Sequence, residues 1–285
     1  MATLTQPLKW HGGKSYLADK IIGLMPPRCK NPNAPAPDDP GWLHYVEPYA
    51  GGLSVLLALD PEGISEVVND RYEHLYNFWR VLQHQSQFHD FMRQIEAVPF
   101  SDRHWEVSEM LDNKGLTEAS RAVEFFIRCR QSLAGRMNGF ASITRNRTRR
   151  GMNEQVSAWL GAIEGLADVH ERLKRVLILN RDALDVIRQQ DGPRTLFYLD
   201  PPYLHETRAT TGEYGEQEMS ADEHRNLLNL LMKIKGRFLL SGYRSMMYDT
   251  TAELCKWNRY EFKIDNKASG GKVKRQMTEC VWTNY

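Results

Sequence analysis

The sequence predicts an α/β fold in which both ends of the chain form a parallel sheet and a helical segment is inserted between them. Near the N-terminus, the apolar segments WLHYVE and ISEVVN each precede a helical pattern, as expected of a βαβ unit. Further along, RVLILN, TLFYLD and GRFLLSGY are strongly apolar and are separated by helical patterns, which is typical of strands covered on both faces. The central segment is polar and helical, without a clear parallel strand. We therefore predict one discontinuous domain of residues 1–79 and 173–285, and an inserted domain of residues 80–172.

The composition of the chain is that of an ordinary globular protein. Of its 285 residues, 41% are hydrophobic and 26% are charged. The sequence contains no apolar run of the roughly 18 residues that a membrane-spanning helix needs. The N-terminus lacks an apolar signal core, so we expect a cytoplasmic protein. The cysteines and histidines form no CxxC or HExxH pattern, and we predict neither a disulfide framework nor a metal site.

Several element boundaries can be predicted from local signals. The helical pattern of SYLADKIIGLMPPR stops at Pro26 and Pro27, and the Pro-rich loop NPNAPAPDDPG follows it. Ser220 and Glu223 form a predicted capping box before the helix HRNLLNLLMKI. The last segments, RYEFKID and QMTECVWTNY, indicate two strands joined by the loop NKASGGKVKR.

A glycine turn follows the first predicted strand, in the segment VEPYAGGLSV. Gly51 and Gly52 allow backbone N–H groups at the start of a helix to approach a ligand closely, which suits a nucleotide-like molecule. Asp70 comes 19 residues after Gly51, close to the separation at which dinucleotide-binding folds place an acid on ribose hydroxyls. Alternatively, the glycines only permit tight packing of strand against helix, and Asp70 caps the next helix. The chain has no GxxxxGK[ST] loop, which weakens a phosphate-binding interpretation.

The segment YLDPPY ends a predicted internal strand on a carboxylate, at the sheet edge where open α/β folds bind their ligands. Pro201 and Pro202 each fix φ at roughly −65° and lack an N–H donor, so neighbouring carbonyls become acceptors at a set angle. Asp200 and one such carbonyl form two acceptors about one amino group apart, and Tyr203 adds an aromatic face for a planar ring. The alternative is an ordinary Asp-Pro-Pro turn that terminates the strand.

This set of groups indicates chemistry on the exocyclic amine of a heteroaromatic base. Two acceptors would hold both N–H bonds and turn the nitrogen lone pair towards an electrophile. Because such an amine is weakly nucleophilic, we expect catalysis through orientation and hydrogen bonding, with the proton leaving late.

The order of these motifs resembles that of the S-adenosylmethionine-dependent DNA adenine-N6 methyltransferases of the D12 class. PLKWHGGKSYL is similar to their N-terminal motif, VEPYAGGLSV to their glycine motif, VVNDRYEHLYNFWR to their ribose-binding motif and FYLDPPY to their catalytic motif. NRDALDVI and LLSGY match two further segments, so the resemblance covers the chain apart from its centre. It implies a Rossmann-like class I methyltransferase sheet with an inserted, mainly helical target-recognition domain. One departure is Leu53, because many relatives have a glycine two places after the first.

The resemblance also implies a cofactor and the residues of its site. The cofactor would be S-adenosyl-L-methionine, the methyl donor, without a metal. Asp70 would bind its ribose and Asp182 its adenine, and the full set of expected contacts is Trp10, Lys14, Tyr49, Gly51, Gly52, Asp70 and Asp182. The target adenine would be held by Asp200, Pro201, Pro202 and Tyr203. Considered alone, Trp10 is instead a core aromatic residue, Lys14 a solvated lysine at a helix start, and Asp182 an N-cap.

The centre of the chain is strongly basic. Residues 121–150 contain eight arginines, no lysine and one acid, Glu124, and so carry a net charge of +7 in a chain whose overall net charge is +1. Arginines beside Asn138, Asn146 and Thr148 offer phosphate contacts together with groups that read base edges. We predict that double-stranded DNA is bound through Arg136, Asn138, Arg145, Arg147 and Arg149. Arg130 lies on an apolar helical stripe and is expected to be structural. The alternative is a solvated loop with no binding role.

Taken together, these features predict a site-specific enzyme that methylates the N6 amine of an adenine flipped out of duplex DNA. N4-cytosine methylation is the nearest alternative, because cytosine carries a similar amine. Glutamine or RNA methylation is more distant, since an arginine-rich insertion better suits duplex DNA. A catalytically silent DNA-binding protein with a methylase fold is the alternative from another class, against which the intact DPPY segment argues. A restriction endonuclease partner is neither indicated nor excluded by the sequence.

Overall fold

The computed structural model describes residues 4–108, 115–141, 144–204, 218–265 and 276–285. By internal packing, the chain divides into two compact units. The helical unit comprises Met1–Asp19, Gly51–Asp60 and Tyr72–Asn180. The sheet unit comprises Lys20–Ala50, Pro61–Arg71 and Arg181–Tyr285. These units are defined by packing alone, so the functional domains of residues 1–79 with 173–285 and of residues 80–172 stay a prediction.

The described part of the chain contains both α-helices and β-strands. The helices are α1 (Ala18–Leu24), α2 (Ser54–Ala58), α3 (Glu73–Gln83), α4 (Gln85–Ile95), α5 (Asp102–Val107), α6 (Glu118–Gln131), α7 (Glu154–Glu164), α8 (Leu166–Leu173), α9 (Ala183–Gln190), α10 (Ala221–Leu231) and α11 (Met246–Cys255). The strands are β1 (His44–Glu47), β2 (Ser65–Asn69), β3 (Thr148–Arg149), β4 (Met152–Asn153), β5 (Val176–Leu179), β6 (Thr195–Leu199), β7 (Arg237–Gly242), β8 (Asn258–Asp265) and β9 (Gln276–Thr283). Among the described helices, none has both the length and the apolar character needed to cross a bilayer.

The sheet unit contains a mostly parallel sheet with the strand order β2-β1-β6-β7-β9-β8. Strands β2, β1, β6 and β7 run parallel, whereas β9 and β8 pair antiparallel. All five residues of β6 are buried, as expected of an internal strand whose sequence, TLFYL, is apolar throughout. The predicted mixed α/β class with a mostly parallel sheet is therefore confirmed. The insertion of a separate recognition domain stays a prediction.

The parallel pairing brings the carboxyl ends of four strands to one edge of the sheet. In the register of the sheet, Glu47 of β1 lies beside Val68 of β2, and Leu199 of β6 lies beside Leu240 of β7. The chain leaves this edge through Pro48 after β1 and Asp70 after β2, and through Asp200 and Tyr243 after β6 and β7. Residues far apart in the sequence thus meet where open α/β sheets bind ligands.

The helical unit has an aromatic core. Phe78 of α3 stacks on Phe126 of α6 with ring centroids 5.8 Å apart, and it packs edge-on against Phe91 of α4. Trp159 of α7 packs on Phe126 at 5.3 Å, and all four side chains are buried. Burying a large aromatic side chain contributes about 1.5–3 kcal/mol, so this cluster accounts for the packing of the polar-looking central helices.

The predicted element boundaries are confirmed where the chain is described. Helix α1 ends at Leu24, before Pro26, although it begins only at Ala18. The Ser220 hydroxyl accepts from the Glu223 N–H at 3.2 Å, and the Glu223 carboxylate accepts from the Ser220 N–H at 2.7 Å, which completes the capping box. Strands β8 and β9 pair as predicted, and the loop of residues 266–275 lies outside the described residues. The antiparallel β3–β4 hairpin was not predicted.

Candidate functional site

Asp200 directly follows β6, an internal strand that lies between β1 and β7. Its side chain is half-buried, and Pro201 next to it is buried. The expected position of this carboxylate at the carboxyl edge of the sheet is therefore observed. Because Pro201 and Pro202 have no N–H groups, the peptide bonds after Asp200 present acceptors only.

Tyr203 is more enclosed than a simple stacking surface, since only 9% of the residue is exposed. Its hydroxyl lies 2.7 Å from Glu279 Oε1 and 3.1 Å from Asp200 Oδ1, and its single proton can be donated to one of these carboxylates at a time. Burial, together with the negative Asp200 and Glu279, raises the pKa of Tyr203 well above its ordinary value. The ring packs against Tyr243 with centroids 4.8 Å apart and planes inclined at 76°.

Glu279 is a site residue that sequence reasoning did not identify. It lies on β9, is 1% exposed, and accepts the shorter hydrogen bond of the Tyr203 hydroxyl. The available signal was an acid within the otherwise apolar strand pattern ECVW, because acids are almost never fully buried unless they are paired. The pattern could not identify the partner, which lies 76 residues away.

Asn69, the last residue of β2, organises the loops at the same edge and was also missed. Its side-chain amide donates to the Pro48 carbonyl at 3.0 Å and to the Arg181 carbonyl at 3.1 Å. In return, its Oδ1 accepts from the Arg181 N–H at 2.9 Å, and its backbone carbonyl accepts from the Ala50 N–H at 2.8 Å. A fully buried amide thus holds in place the loops that carry Tyr49 and Asp182.

Three of the predicted cofactor residues lie at this edge of the sheet unit. Asp70 is half-buried, and Asp182 is exposed. Asp182 caps α9, because its Oδ1 accepts from the N–H groups of Leu184 at 2.9 Å and Asp185 at 3.3 Å. The N-cap interpretation of Asp182 is therefore observed, and a carboxylate with about four acceptor positions can still bind a ligand. Tyr49 is half-buried, and burial together with Tyr248 and Asp182 raises its pKa, which keeps the phenol neutral.

The glycine turn lies in the helical unit, against Trp10. A Cβ at Gly51 would lie 3.0 Å from Trp10 Nε1, and a Cβ at Gly52 would lie 1.7 Å from Gln6 Nε2 and 2.9 Å from Trp10 Cβ. The Trp79 indole N–H donates to the Gly51 carbonyl at 3.0 Å. Close packing by itself thus favours glycine at both positions, in agreement with the structural alternative.

Lys14 is buried, which contradicts its interpretation as a solvated lysine. It is 4% exposed, its Nζ donates to the Gly12 carbonyl at 2.7 Å, and its N–H donates to the Ser54 hydroxyl at 3.1 Å. The hydroxyl of Ser54 in turn donates to Gln6 Oε1 at 3.1 Å. These contacts bring Lys14, Trp10 and the glycine turn together within the helical unit.

The predicted DNA-binding residues fall into two groups within the helical unit. Arg145, Arg147 and Arg149 are exposed on or directly before the β3–β4 hairpin, and Arg147 lies 3.6 Å from Glu154. Half-buried Arg136 and exposed Asn138 lie on the segment of residues 133–139.

Three other arginines of the basic segment are held by the protein. The Arg150 guanidinium binds both Glu164 oxygens at 2.9 Å, and Arg130 donates to the Ala158 carbonyl at 2.7 Å. Burial lowers the pKa of Arg130 to about 10, in agreement with its expected structural role. Arg128, 9% exposed, lies 3.9 Å from the Trp105 ring and donates to the Met137 carbonyl at 2.6 Å.

The comparison with protein families identifies one match. The model of the D12 class N6 adenine-specific DNA methyltransferase family matches residues 10–265 of the chain. The matched residues include the glycine turn, the basic segment and Asp200–Tyr203. No individual curated protein matches the chain.

Proposed function

Because the chain belongs to the D12 class N6 adenine-specific DNA methyltransferase family, we propose that it transfers a methyl group from S-adenosyl-L-methionine to an adenine flipped out of duplex DNA. The family is one of adenine-specific DNA methyltransferases, so the chain is an enzyme that acts on DNA adenine. The observation that carries the finer proposal is Asp200, a half-buried carboxylate at the carboxyl end of an internal parallel strand, followed by two residues that lack N–H donors.

Asp200 and a proline-flanked carbonyl would accept the two N–H bonds of the adenine N6 amine. This arrangement orients the nitrogen lone pair and strengthens as positive charge develops on nitrogen during transfer. The nitrogen would form a bond to the methyl carbon as the bond from that carbon to the sulfonium sulfur of the donor breaks, and the resulting thioether would leave with that electron pair. The nitrogen would afterwards lose one proton, for which Asp200 is the nearest acceptor we assign. Because the exocyclic amine is weakly nucleophilic and loses its proton late, orientation carries the catalysis.

The proposal that S-adenosyl-L-methionine is the cofactor rests on the chemical groups that the predicted cofactor residues offer. Asp70 and Asp182 offer carboxylate acceptors for ribose hydroxyls and an adenine amine, and neutral Tyr49 adds an aromatic ring. Trp10, Lys14, Gly51 and Gly52 complete the proposed set. When bound, S-adenosyl-L-methionine supplies an electrophilic methyl group. The donor and acceptor types fit a nucleoside, and we assign no metal.

The DNA contacts would come from the exposed arginines of the hairpin and from the segment of residues 133–139. Arg145, Arg147 and Arg149 suit phosphate binding, because exposed guanidinium groups neutralise phosphates without a large desolvation cost. Asn138 has the donor and acceptor pair that reads an adenine edge. Since the N6 amine is paired inside duplex DNA, the adenine must leave the stack to reach Asp200.

The test compares wild type with Asp200→Ala and with a control, Asp90→Ala, whose side chain is 60% exposed on α4. Each protein is incubated with duplex DNA and methyl-labelled S-adenosyl-L-methionine, and the DNA is digested to nucleosides. We expect label in N6-methyladenine for wild type and for the control. For Asp200→Ala we expect labelling at least about 100-fold slower with DNA binding retained. Equal labelling by the variant would refute the role of Asp200, and label in N4-methylcytosine would refute the choice of base.

A further inference from the structure

Glu279 has no role in the function proposed above, although it is a buried carboxylate in contact with the catalytic segment. We propose that Glu279 is a positioning residue: it holds the hydroxyl proton of Tyr203, and thereby keeps this hydroxyl from occupying the Asp200 oxygens that accept the target amine. This inference rests on the proposed role of Asp200. It assigns a function to a strand, β9, that none of the predicted site residues occupies.

The strand register delivers Glu279 to the catalytic edge of the sheet. Strand β9 runs antiparallel to β7, and Gly242 at the end of β7 pairs with Cys280. Glu279 therefore lies one residue beyond the last paired position, next to where Tyr243 leaves the sheet. Strand β7 in turn pairs with β6, at whose end Asp200 lies. Two neighbouring pairings thus place a second carboxylate at the edge where Asp200 lies.

The hydrogen-bond geometry makes the two carboxylates competitors for one proton. The Tyr203 oxygen lies 2.7 Å from Glu279 Oε1 and 3.1 Å from Asp200 Oδ1. A phenol has one proton, and charge-assisted O–H···O hydrogen bonds are strongest near 2.5–2.7 Å, so the proton favours Glu279. Glu279 is 1% exposed while Asp200 is half-buried, and a less hydrated acceptor forms the stronger electrostatic bond.

The packing of Tyr203 holds its hydroxyl close to both carboxylates. The residue is 9% exposed and its ring packs against Tyr243, so the hydroxyl cannot turn into bulk water without moving the ring. If Glu279 no longer accepts the proton, Asp200 Oδ1 at 3.1 Å is an acceptor already within hydrogen-bond distance. That bond would occupy an acceptor position that the adenine amine needs, and it would weaken Asp200 as a proton acceptor.

The experiment removes the acceptor and then removes the competing hydroxyl. Glu279→Leu is similar in volume, excludes water and cannot accept a hydrogen bond. Glu279→Gln keeps a side-chain carbonyl that accepts from Tyr203. The double variant Glu279→Leu with Tyr203→Phe has no hydroxyl to donate to Asp200. The control is Glu261→Leu on β8, where the same substitution replaces a carboxylate that is 45% exposed.

We expect Glu279→Leu to lower the single-turnover methylation rate by about 10- to 100-fold, with little change in the KM for DNA or for the methyl donor. Glu279→Gln should lose less activity than Glu279→Leu. The double variant should be at least about threefold faster than Glu279→Leu alone, because the competing donor is absent. The Glu261→Leu control should be as active as wild type.

A purely structural role for Glu279 makes the opposite prediction for the double variant. Removing the Tyr203 hydroxyl from a site already damaged at Glu279 would leave the rate equal to or below that of Glu279→Leu, and this result would overturn the proposal. Full activity of Glu279→Leu would overturn it as well. If thermal unfolding shows that Glu279→Leu is not folded, Glu279→Met replaces it in the same comparison. A folded Glu279→Gln that is as slow as Glu279→Met would then contradict the proposal.

The outcome is separable from that of the proposed function. If Asp200→Ala methylates DNA at the wild-type rate, the function assigned to Asp200 fails, whatever Glu279 does. If Asp200→Ala is inactive while Glu279→Leu and Glu279→Gln both match wild type, only the positioning role of Glu279 fails.

Discussion

Leu53 adopts φ 56° and ψ 32°, the left-handed conformation that glycine adopts without cost. It lies two places after Gly51 in the glycine turn, and its side chain is fully buried. The left-handed backbone costs a non-glycine residue about 1–2 kcal/mol, whereas burying a leucine side chain contributes about 1.5–3 kcal/mol. The packing gain therefore offsets the strain of the left-handed backbone at Leu53.

Two substitutions separate the cost of the left-handed backbone at Leu53 from the gain of burying its side chain. Leu53→Ala removes the side chain and keeps the strained backbone, while Leu53→Gly removes both. We expect Leu53→Ala to lower the free energy of unfolding by about 2–5 kcal/mol, and Leu53→Gly by about 1 kcal/mol less. Urea unfolding measures both. An alanine variant more stable than the glycine variant, which is the usual order in helices, would contradict the strain at this position.

The hydrogen bonds of Asp39, which is not a residue of the candidate site, indicate that the stability of the protein depends on pH. Its Oδ2 accepts from the N–H groups of Lys30 at 2.6 Å and Asn31 at 2.7 Å, and these backbone hydrogen bonds lower its pKa to about 2. Because the folded-state pKa lies below the unfolded value of about 3.9, its contribution is fully present above pH 4 and is lost as the pH falls to about 2. The difference in unfolding free energy between wild type and Asp39→Asn should therefore shrink from pH 5 to pH 3. A constant difference over this range would exclude the linkage.

At the scale of elements, the β3–β4 hairpin arranges the basic segment. Its turn residues Arg150 and Gly151 have φ of 56° and 75°, as the tight turns that match strand twist require. The bidentate pair of Arg150 with Glu164 ties this turn to α7. An arginine held in this way is less available to DNA, whereas Arg147 and Arg149 are presented outward.

Neutralising Arg147 tests the hairpin as a DNA contact. We expect Arg147→Gln to weaken binding to all DNA sequences alike and to reduce the slope of log affinity against log salt by roughly 1, because one fewer phosphate is neutralised. Arg93→Gln is the matched control, since Arg93 is 79% exposed on α4 outside the basic segment. Fluorescence anisotropy at several salt concentrations gives both slopes. Equal slopes for Arg147→Gln and wild type would remove Arg147 from the contact surface.

The segment of residues 133–139 contains two glycines, Gly135 and Gly139, at which the same substitution can be compared. Gly135 has φ of 74°, and a Cβ there would lie 1.8 Å from the Lys9 carbonyl oxygen, whereas a Cβ at Gly139 would meet no atom within 4 Å. Lys9 Nζ also donates to the Arg130 and Ser132 carbonyls, so displacement of Lys9 would loosen the segment.

We expect Gly135→Ala to lower the free energy of unfolding by more than about 1 kcal/mol and to weaken DNA binding. Gly139→Ala should stay within about 0.5 kcal/mol of wild type. Urea unfolding and DNA titration of the two variants measure both effects, and similar values for the two would argue against the close approach of Gly135 to Lys9.

Local sequence patterns predicted those elements and caps whose formation depends on neighbouring residues. Strands β1, β2 and β5 to β9 were expected from short apolar runs, and the capping box of Ser220 and Glu223 from its spacing. The β3–β4 hairpin was missed because two-residue strands leave no apolar alternation, and its turn sequence, Arg-Gly, lacks the usual Asn-Gly or Asp-Gly signal.

For the whole molecule, methylation of a paired amine requires the base to leave the duplex. Replacing the target adenine with 2-aminopurine should give a rise in fluorescence on binding, because unstacking removes quenching by neighbouring bases. The rise should persist in Asp200→Ala, which lacks the chemical step but retains the DNA contacts. A duplex with the analogue one base pair away is the control. Productive methylation without any fluorescence change at the target would contradict base flipping.

The sequence by itself determined the α/β class, the order of strands β1, β2 and β5 to β9 along the chain, and the location of Asp200 at a strand end. These properties follow from apolar periodicity, proline and glycine signals and the position of an acid after a buried strand, all of which act over a few residues. Only the tertiary structure decided that Glu279 contacts Tyr203, that Asn69 joins Pro48 to Arg181, and that Gly135 packs on Lys9. Such contacts join residues tens to more than a hundred positions apart, and they depend on strand register and side-chain packing, which no local pattern encodes.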